Sequence, residues 1–129
     1  MRSPVIVIGR FALKFARNNR GRASNLYEAK IYRSANATRR ALLCPVLWVS
    51  RNGVLQIMRA AQPLTDMMTL DQYMEVAEIW DKMPGEDSCP FEPKASDWGW
   101  FEGRMVALDY STPAWEADDS AGESRLLRT

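Results

Sequence analysis

The spacing of apolar residues along this chain changes period several times, and each change predicts an element. Residues 4–9, PVIVIG, are an apolar run rich in β-branched side chains. In RFALKFA, Phe11, Leu13 and Phe15 alternate with Arg10, Ala12, Lys14 and Ala16. A period of two is that of a strand, so the stretch predicts two strands broken near Gly9, or one long bent strand. NNRG then breaks the pattern. From Arg22 to about Ala35 the residues Leu26, Ala29, Ile31, Tyr32 and Ala35 recur at helical spacing, with Ser24 or Asn25 as candidate caps. Residues 37–42 add a short helical turn ended by Pro45.

PVLWVSRNGVLQIMRAAQPL has the pattern of a β-hairpin, two apolar runs joined at Asn52-Gly53, a pair that readily takes positive φ. Thr69 with Gln72 makes a capping box for a helix through about Lys82, and Leu70, Tyr73, Met74, Ala77, Ile79, Trp80 and Met83 are expected to face mostly inward. Pro84-Gly85 stops that helix. PGEDSCPFEPKAS is irregular, and a second hairpin runs through Trp98 to Phe101, turns at Glu102-Gly103 and returns from Arg104 to Tyr110. That return strand is apolar on both faces yet ends in Asp109, and an ionised acid at the end of a buried strand needs a partner, a metal or water. Residues 1–111 thus read as a single domain and 112–129 as a flexible acidic tail. Trp115 in that tail is a candidate anchor for a partner, or for folding back onto the domain.

Composition narrows the chemistry. At 129 residues the chain is long enough for one core. Two cysteines, Cys44 and Cys89, lie far apart without metal-ligand spacing, and there is no histidine. Ser-His-Asp triads, Cys-His pairs and zinc sites built on histidine are excluded, so acid–base chemistry falls to Asp, Glu, Lys, Tyr or Cys. No apolar run reaches the roughly 18 residues of a membrane span, and no signal peptide is read at the N-terminus, so a cytoplasmic setting is expected. Charge divides along the chain: residues 1–64 hold 12 basic residues against one acid, Glu28, a net of +11, whereas residues 65–129 hold 5 against 15, a net of −10. Such asymmetry fits a basic face toward a polyanion, with Arg17, Arg20, Arg22, Arg33, Arg39 and Arg40 as candidate nucleic-acid contacts, or two halves that attract each other.

The order of elements resembles the core of the protein-kinase-like fold. In particular it resembles small kinase-like proteins of bacteria and their mobile elements or phages, in which a strand of the type hVhKhA precedes GRxxNxxEAxxYR. Here those pieces read FALKFARNNRGRASNLYEAKIYR; LLCPVLWVSRNGVLQIMRAAQPL and DWGWFEGRMVALDY match two further patterns of the same proteins, and the likeness spans nearly all of residues 5–111. The resemblance implies an α+β architecture: an N-lobe-like antiparallel sheet with an αC-like helix, a hinge, one further helix and a catalytic-loop-like β-hairpin. It also implies site residues. Lys14 would contact the phosphates of ATP and pair with Glu28, Asp109 would hold magnesium, and, counting back from the hairpin, Asp97 would serve as second metal ligand and Glu92 as catalytic base.

Departures from the pattern matter as much. Glu92 stands where the family has aspartate, and Asp97 where it has asparagine, which adds negative charge beside the phosphates. The glycine-rich loop is reduced to Gly9, and there is no activation segment. Three functions are compatible with this reading: a catalytically degraded, pseudokinase-like module that binds or inhibits a protein partner, in the manner of a phage protein acting on a host factor; a minimal ATP- and magnesium-dependent phosphotransferase; and a nucleic-acid binder. The same residues also allow a structural reading, in which Lys14 and Glu28 are an ion pair, Asp109 bonds to its own turn, and Glu92 and Asp97 are solvated loop acids.

Overall fold

The computed structural model describes residues 5–113. It is an α+β domain whose strands are all antiparallel within their sheets, with three α-helices among the described residues. The first pattern resolves as two strands, β1 (Val5–Ile8) and β2 (Phe11–Phe15), separated at Gly9, whose φ is +57°. The Asn52-Gly53 hairpin supplies β3 (Val46–Val49) and β4 (Leu55–Arg59). These four form one sheet in the order β1-β2-β4-β3. A second sheet contains β5 (Gln62–Pro63), β6 (Trp98–Phe101) and β7 (Arg104–Ala107), in that order. Its β5 is too short, and too proline-bound, to have shown a period in the sequence. Residues 60–61 join the two sheets.

Helix α1 (Asn19–Ser34) begins earlier than the apolar spacing predicts. Asn18 is its cap, accepting from the Gly21 N–H at 2.8 Å, while Ser24 and Asn25, the expected caps, lie buried inside the helix. The helix crosses one face of the four-stranded sheet and is pinned to it by Asn25, whose amide donates to the Gly53 carbonyl at 2.9 Å. That contact explains Gly53 twice over. Its φ is +76°, and a Cβ there would stand 2.5 Å from the Arg22 carbonyl oxygen.

Helix α2 (Ala37–Arg40) is a single turn, and α3 (Leu70–Trp80) follows the predicted capping box of Thr69 and Gln72. Helix α3 ends at Asp81, whose φ of 54° closes it before Pro84 is reached. Its inward face differs from the prediction: Val76 and Trp80 are buried, but Leu70, Met74, Ile79 and Met83 are exposed. The helix is apolar on several sides, and spacing alone does not say which side finds a partner. The core it joins is aromatic, with Phe91 meeting Tyr73, Trp80 and Trp98 edge-on at centroid distances of 6.3, 5.5 and 5.0 Å. Arg39 locks α2 onto α3: its guanidinium lies 4.6 Å over the Trp80 ring and donates to the Trp80 and Asp81 carbonyls at 2.7 and 2.8 Å. The tail expected at 112–129, including Trp115, lies outside the described residues apart from Thr112 and Pro113. Thr112 still donates to the domain, through its N–H to the Pro90 carbonyl at 3.1 Å.

Two glycine substitutions separate conformation from contact. Gly9→Ala meets positive φ with open space around the new methyl and is expected to cost about 1 kcal/mol. Gly53→Ala meets positive φ and the Arg22 backbone together and is expected to cost about 3 kcal/mol, read as a fall in the urea midpoint with an unchanged slope.

Candidate functional site

Strand β2 turns Lys14 to the α1 side of the sheet, and Glu28, one helical turn after Ser24, faces it. The Lys14 Nζ donates to Glu28 Oε1 at 3.0 Å and to the Leu108 carbonyl at 2.7 Å. The other oxygen of Glu28 accepts the Tyr110 N–H at 2.7 Å. Sheet, helix and the segment after β7 therefore meet on one buried ion pair, with Glu28 only 1% exposed. Asp109 lies beside it, and its Oδ1 accepts from the Ser111 hydroxyl at 3.1 Å. Segment 107–111 is held from other sides as well: the Leu108 N–H donates to the Asp97 carbonyl at 2.7 Å, and the Tyr110 hydroxyl to the Cys44 carbonyl at 2.9 Å.

Two acids and one lysine taken out of water carry a net negative charge if both acids ionise. Burial pushes the Glu28 carboxyl up, and the neighbouring Asp109 adds to this, so that it reaches about 8 although Lys14 and the Tyr110 N–H pull it down. Burial also raises Asp109, but Lys14 outweighs it, aided by bonds from Glu28 and Ser111, and Asp109 ends below its ordinary value. For Lys14 burial favours the neutral amine, yet Glu28 and Asp109 overcome that and hold it protonated above its ordinary value. Of the two acids Glu28 therefore holds its proton the more tightly, and their titration is that of a coupled group with Lys14.

The polar cluster closes one end of a cavity of about 230 Å³. Val5 and Val7 of β1, Ala12 of β2, Met58 of β4 and Leu108 give it apolar walls, and residues 59–61 form the side where the two sheets join. Such a volume is below the roughly 300–1,000 Å³ of sites for drug-sized ligands. It suits one flat ring system. Ser24 also lines it; this residue is 8% exposed and its hydroxyl has no hydrogen-bond partner among the described residues. A buried hydroxyl left unpaired inside a cavity is a costly group that a ligand atom can satisfy. Cys44 lines the cavity too, but burial drives its thiol up to about 11, and it donates to the Arg59 carbonyl, so it is no nucleophile at neutral pH.

The structure brings Lys14, Glu28 and Asp109 together and leaves Glu92 out. Glu92 does not line the cavity; its half-exposed carboxylate pairs with Lys94 at 3.0 Å, and its backbone carbonyl accepts the Trp98 indole N–H at 2.6 Å. Asp97 is buried and reaches the site through its backbone carbonyl, beneath Leu108 and Asp109, without lining the cavity. Among the described residues no group of three or more acids or cysteines gathers to hold a metal ion. Asp97 and Asp109, the pair expected to hold magnesium, meet through backbone, the Asp109 N–H approaching the Asp97 carbonyl at 3.4 Å, and of the two only Asp109 lines the cavity. Ser24 was read in the sequence only as a helix cap, and the backbone of Leu108 and Tyr110 was not singled out, although Ser24 and Glu28, four apart on one helix, already shared a face.

Most of the arginines suggested for nucleic acid also make contacts within the fold. Arg39 caps α3 and forks onto both oxygens of Glu86 at 2.9 Å, Arg40 donates to the Tyr32 and Arg33 carbonyls at the end of α1, and Arg22 donates to Asn19. Arg17 and Arg20 are also engaged, and Arg17, Arg33 and Arg40 are exposed. No helix among the described residues is long and apolar enough to cross a membrane. No protein-family model, curated protein or solved structure matches the chain.

The raised Glu28 carboxyl makes stability depend on pH. A folded value of about 8 against an ordinary 4.5 means that the folded state binds more protons than the unfolded state between these limits, so stability falls as pH rises from about 4.5 toward 8 and levels off above. The steepest slope is about 1.4 kcal/mol per pH unit. Urea unfolding at pH 5, 6, 7, 8 and 9 reads it, and Asp109→Asn, which removes the competing carboxylate, is expected to flatten the slope.

Proposed function

We propose that this chain is a small kinase-like domain that keeps the nucleobase cleft of that fold, has lost phosphotransfer, and acts by binding a protein partner. The observation that carries this reading is the cavity between β1, β2, β4 and the 59–61 segment, closed at its polar end by Lys14, Glu28 and Asp109. A strand lysine paired to a helix glutamate, with an acid after a hairpin at the same point, is the arrangement the sequence resemblance led us to expect. The loss of chemistry is supported by the place of Glu92, away from the cavity and paired to Lys94.

Two of the three Lys14 donors are committed to Glu28 and Leu108 within the fold. Lys14 therefore serves first to hold the cleft closed at its base. A ligand ring would lie between Ala12 and Leu108 and meet the unpaired Ser24 hydroxyl, with any phosphates left toward solvent. A protein partner, of the kind a phage protein uses against a host factor, is the analogy drawn from fold and size.

Thermal unfolding with adenosine, ATP, and ATP with magnesium tests this, together with an assay of phosphate release. Adenosine and ATP are expected to raise the midpoint, by about 2.7 kcal/mol of stability at a hundredfold excess over the dissociation constant, with no gain from magnesium and no phosphate released. Ala12→Met, which fills the cavity, should abolish the shift. Magnesium-dependent phosphate release that Lys14→Ala removes would instead make the chain a phosphotransferase.

A further inference from the structure

Antiparallel partners share a face, so register sorts the side chains of the four-stranded sheet. Val5 and Val7 pair with Lys14 and Ala12, and Gln56 and Met58 continue those rows on the side of α1 and the cavity, which covers Gln56 and Met58 but leaves the edge strand open, Val5 and Val7 being 50% and 63% exposed. The opposite face therefore carries Ile6 beside Leu13, Ile8 beside Phe11 with Arg59 ending that row, and Trp48 beside Ile57. Of these, Ile6, Ile8, Phe11 and Trp48 are 49%, 60%, 45% and 48% exposed. An antiparallel sheet with one face on a core ordinarily turns polar residues to water on the other. A contiguous apolar face of this kind marks an interaction site.

Charge says what fits it. The turns at its two ends carry exposed Arg10 and Arg51, and the only acid among residues 5–64 is the buried Glu28. Sheet face against sheet face would set arginine rims together with no acid to relieve them. The complementary surface is on the same chain. Helix α3 turns Leu70 and Met74 outward, 73% and 59% exposed, with the exposed acids Asp71, Glu75 and Glu78 alongside. Four strands about 4.8 Å apart and five residues long at about 3.4 Å each give a planar footprint of about 300 Å². Even with side-chain relief this is the scale of a weak, concentration-dependent contact.

We propose that the open face of the four-stranded sheet binds the outer face of α3 on a second copy of this chain. The contact is head-to-tail: every copy keeps one free sheet face and one free helix face, so copies add in rings or open chains. It does not depend on what the cleft binds.

Sedimentation velocity of the full chain over a concentration series, at low and high salt, tests the contact with two variants. One carries Ile8→Glu and Phe11→Glu, the other Leu70→Gln and Met74→Gln. All four positions are exposed, and circular dichroism verifies that both variants fold. The wild type is expected to grow past the dimer with concentration, less so at high salt. Each variant alone is expected to stay monomeric, while an equimolar mixture forms a dimer and stops, because each contributes the face the other lacks. Growth that the α3 variant retains would place sheet on sheet and overturn the proposal. A wild type monomeric at every concentration would overturn it too, leaving the face to the acidic C-terminal segment or to another protein.

Discussion

A lysine and a glutamate taken out of water on facing elements oblige the surrounding backbone to supply their remaining partners. Neither Lys14 nor Glu28 could be buried as a lone charge, and the pair by itself leaves donors and acceptors unmet. Leu108 and Tyr110 meet them through a carbonyl and an N–H, so the segment after β7 is placed by the ion pair as much as by its own strand. The cavity is a consequence. Its polar end exists because those groups cannot be packed against Val5, Ala12 or Met58, and its apolar end because the sheet there has no helix over it.

The same contact couples the two sheets. Residues 60–61 connect them covalently on one side, and Lys14 to Leu108 connects them through hydrogen bonds on the other. The cavity lies between these two connections, with residues of both in its lining.

Much of this was legible in the sequence where a local rule was at work. The period-two runs, the Asn-Gly turn and the capping box at Thr69 each fix a backbone state within a few residues, and each element formed. Asp109 stood out as an acid at the end of an apolar strand, whereas Lys14 and Glu28 were singled out through the resemblance, a lysine on one strand and a glutamate on one helix being ordinary by themselves. The start of α1 was missed because its first turn is rich in arginine and has no acid, the reverse of what the helix dipole favours, so the Asn18 cap drew no notice. The inward face of α3 was misjudged because Leu70 and Met74 are as apolar as Val76 and Trp80, and only tertiary packing distinguishes them. Glu92 was placed by counting residues back from a hairpin, and a count fixes distance along the chain, not through space.

The bonds that complete the ion pair span 94 residues from Lys14 to Leu108 and 82 from Glu28 to Tyr110. During synthesis the sheet and α1 emerge long before the segment that satisfies them. Until residue 110 is out, a strongly basic half-chain holds a lysine and a glutamate with nothing to complete their bonds, and an apolar strand, β1, at an open edge. Closing so long a loop is slow. A turn of backbone made 82 residues after Glu28 is therefore the one that completes the bonds of the first helix, and in the interval between them its charged pair stands incomplete.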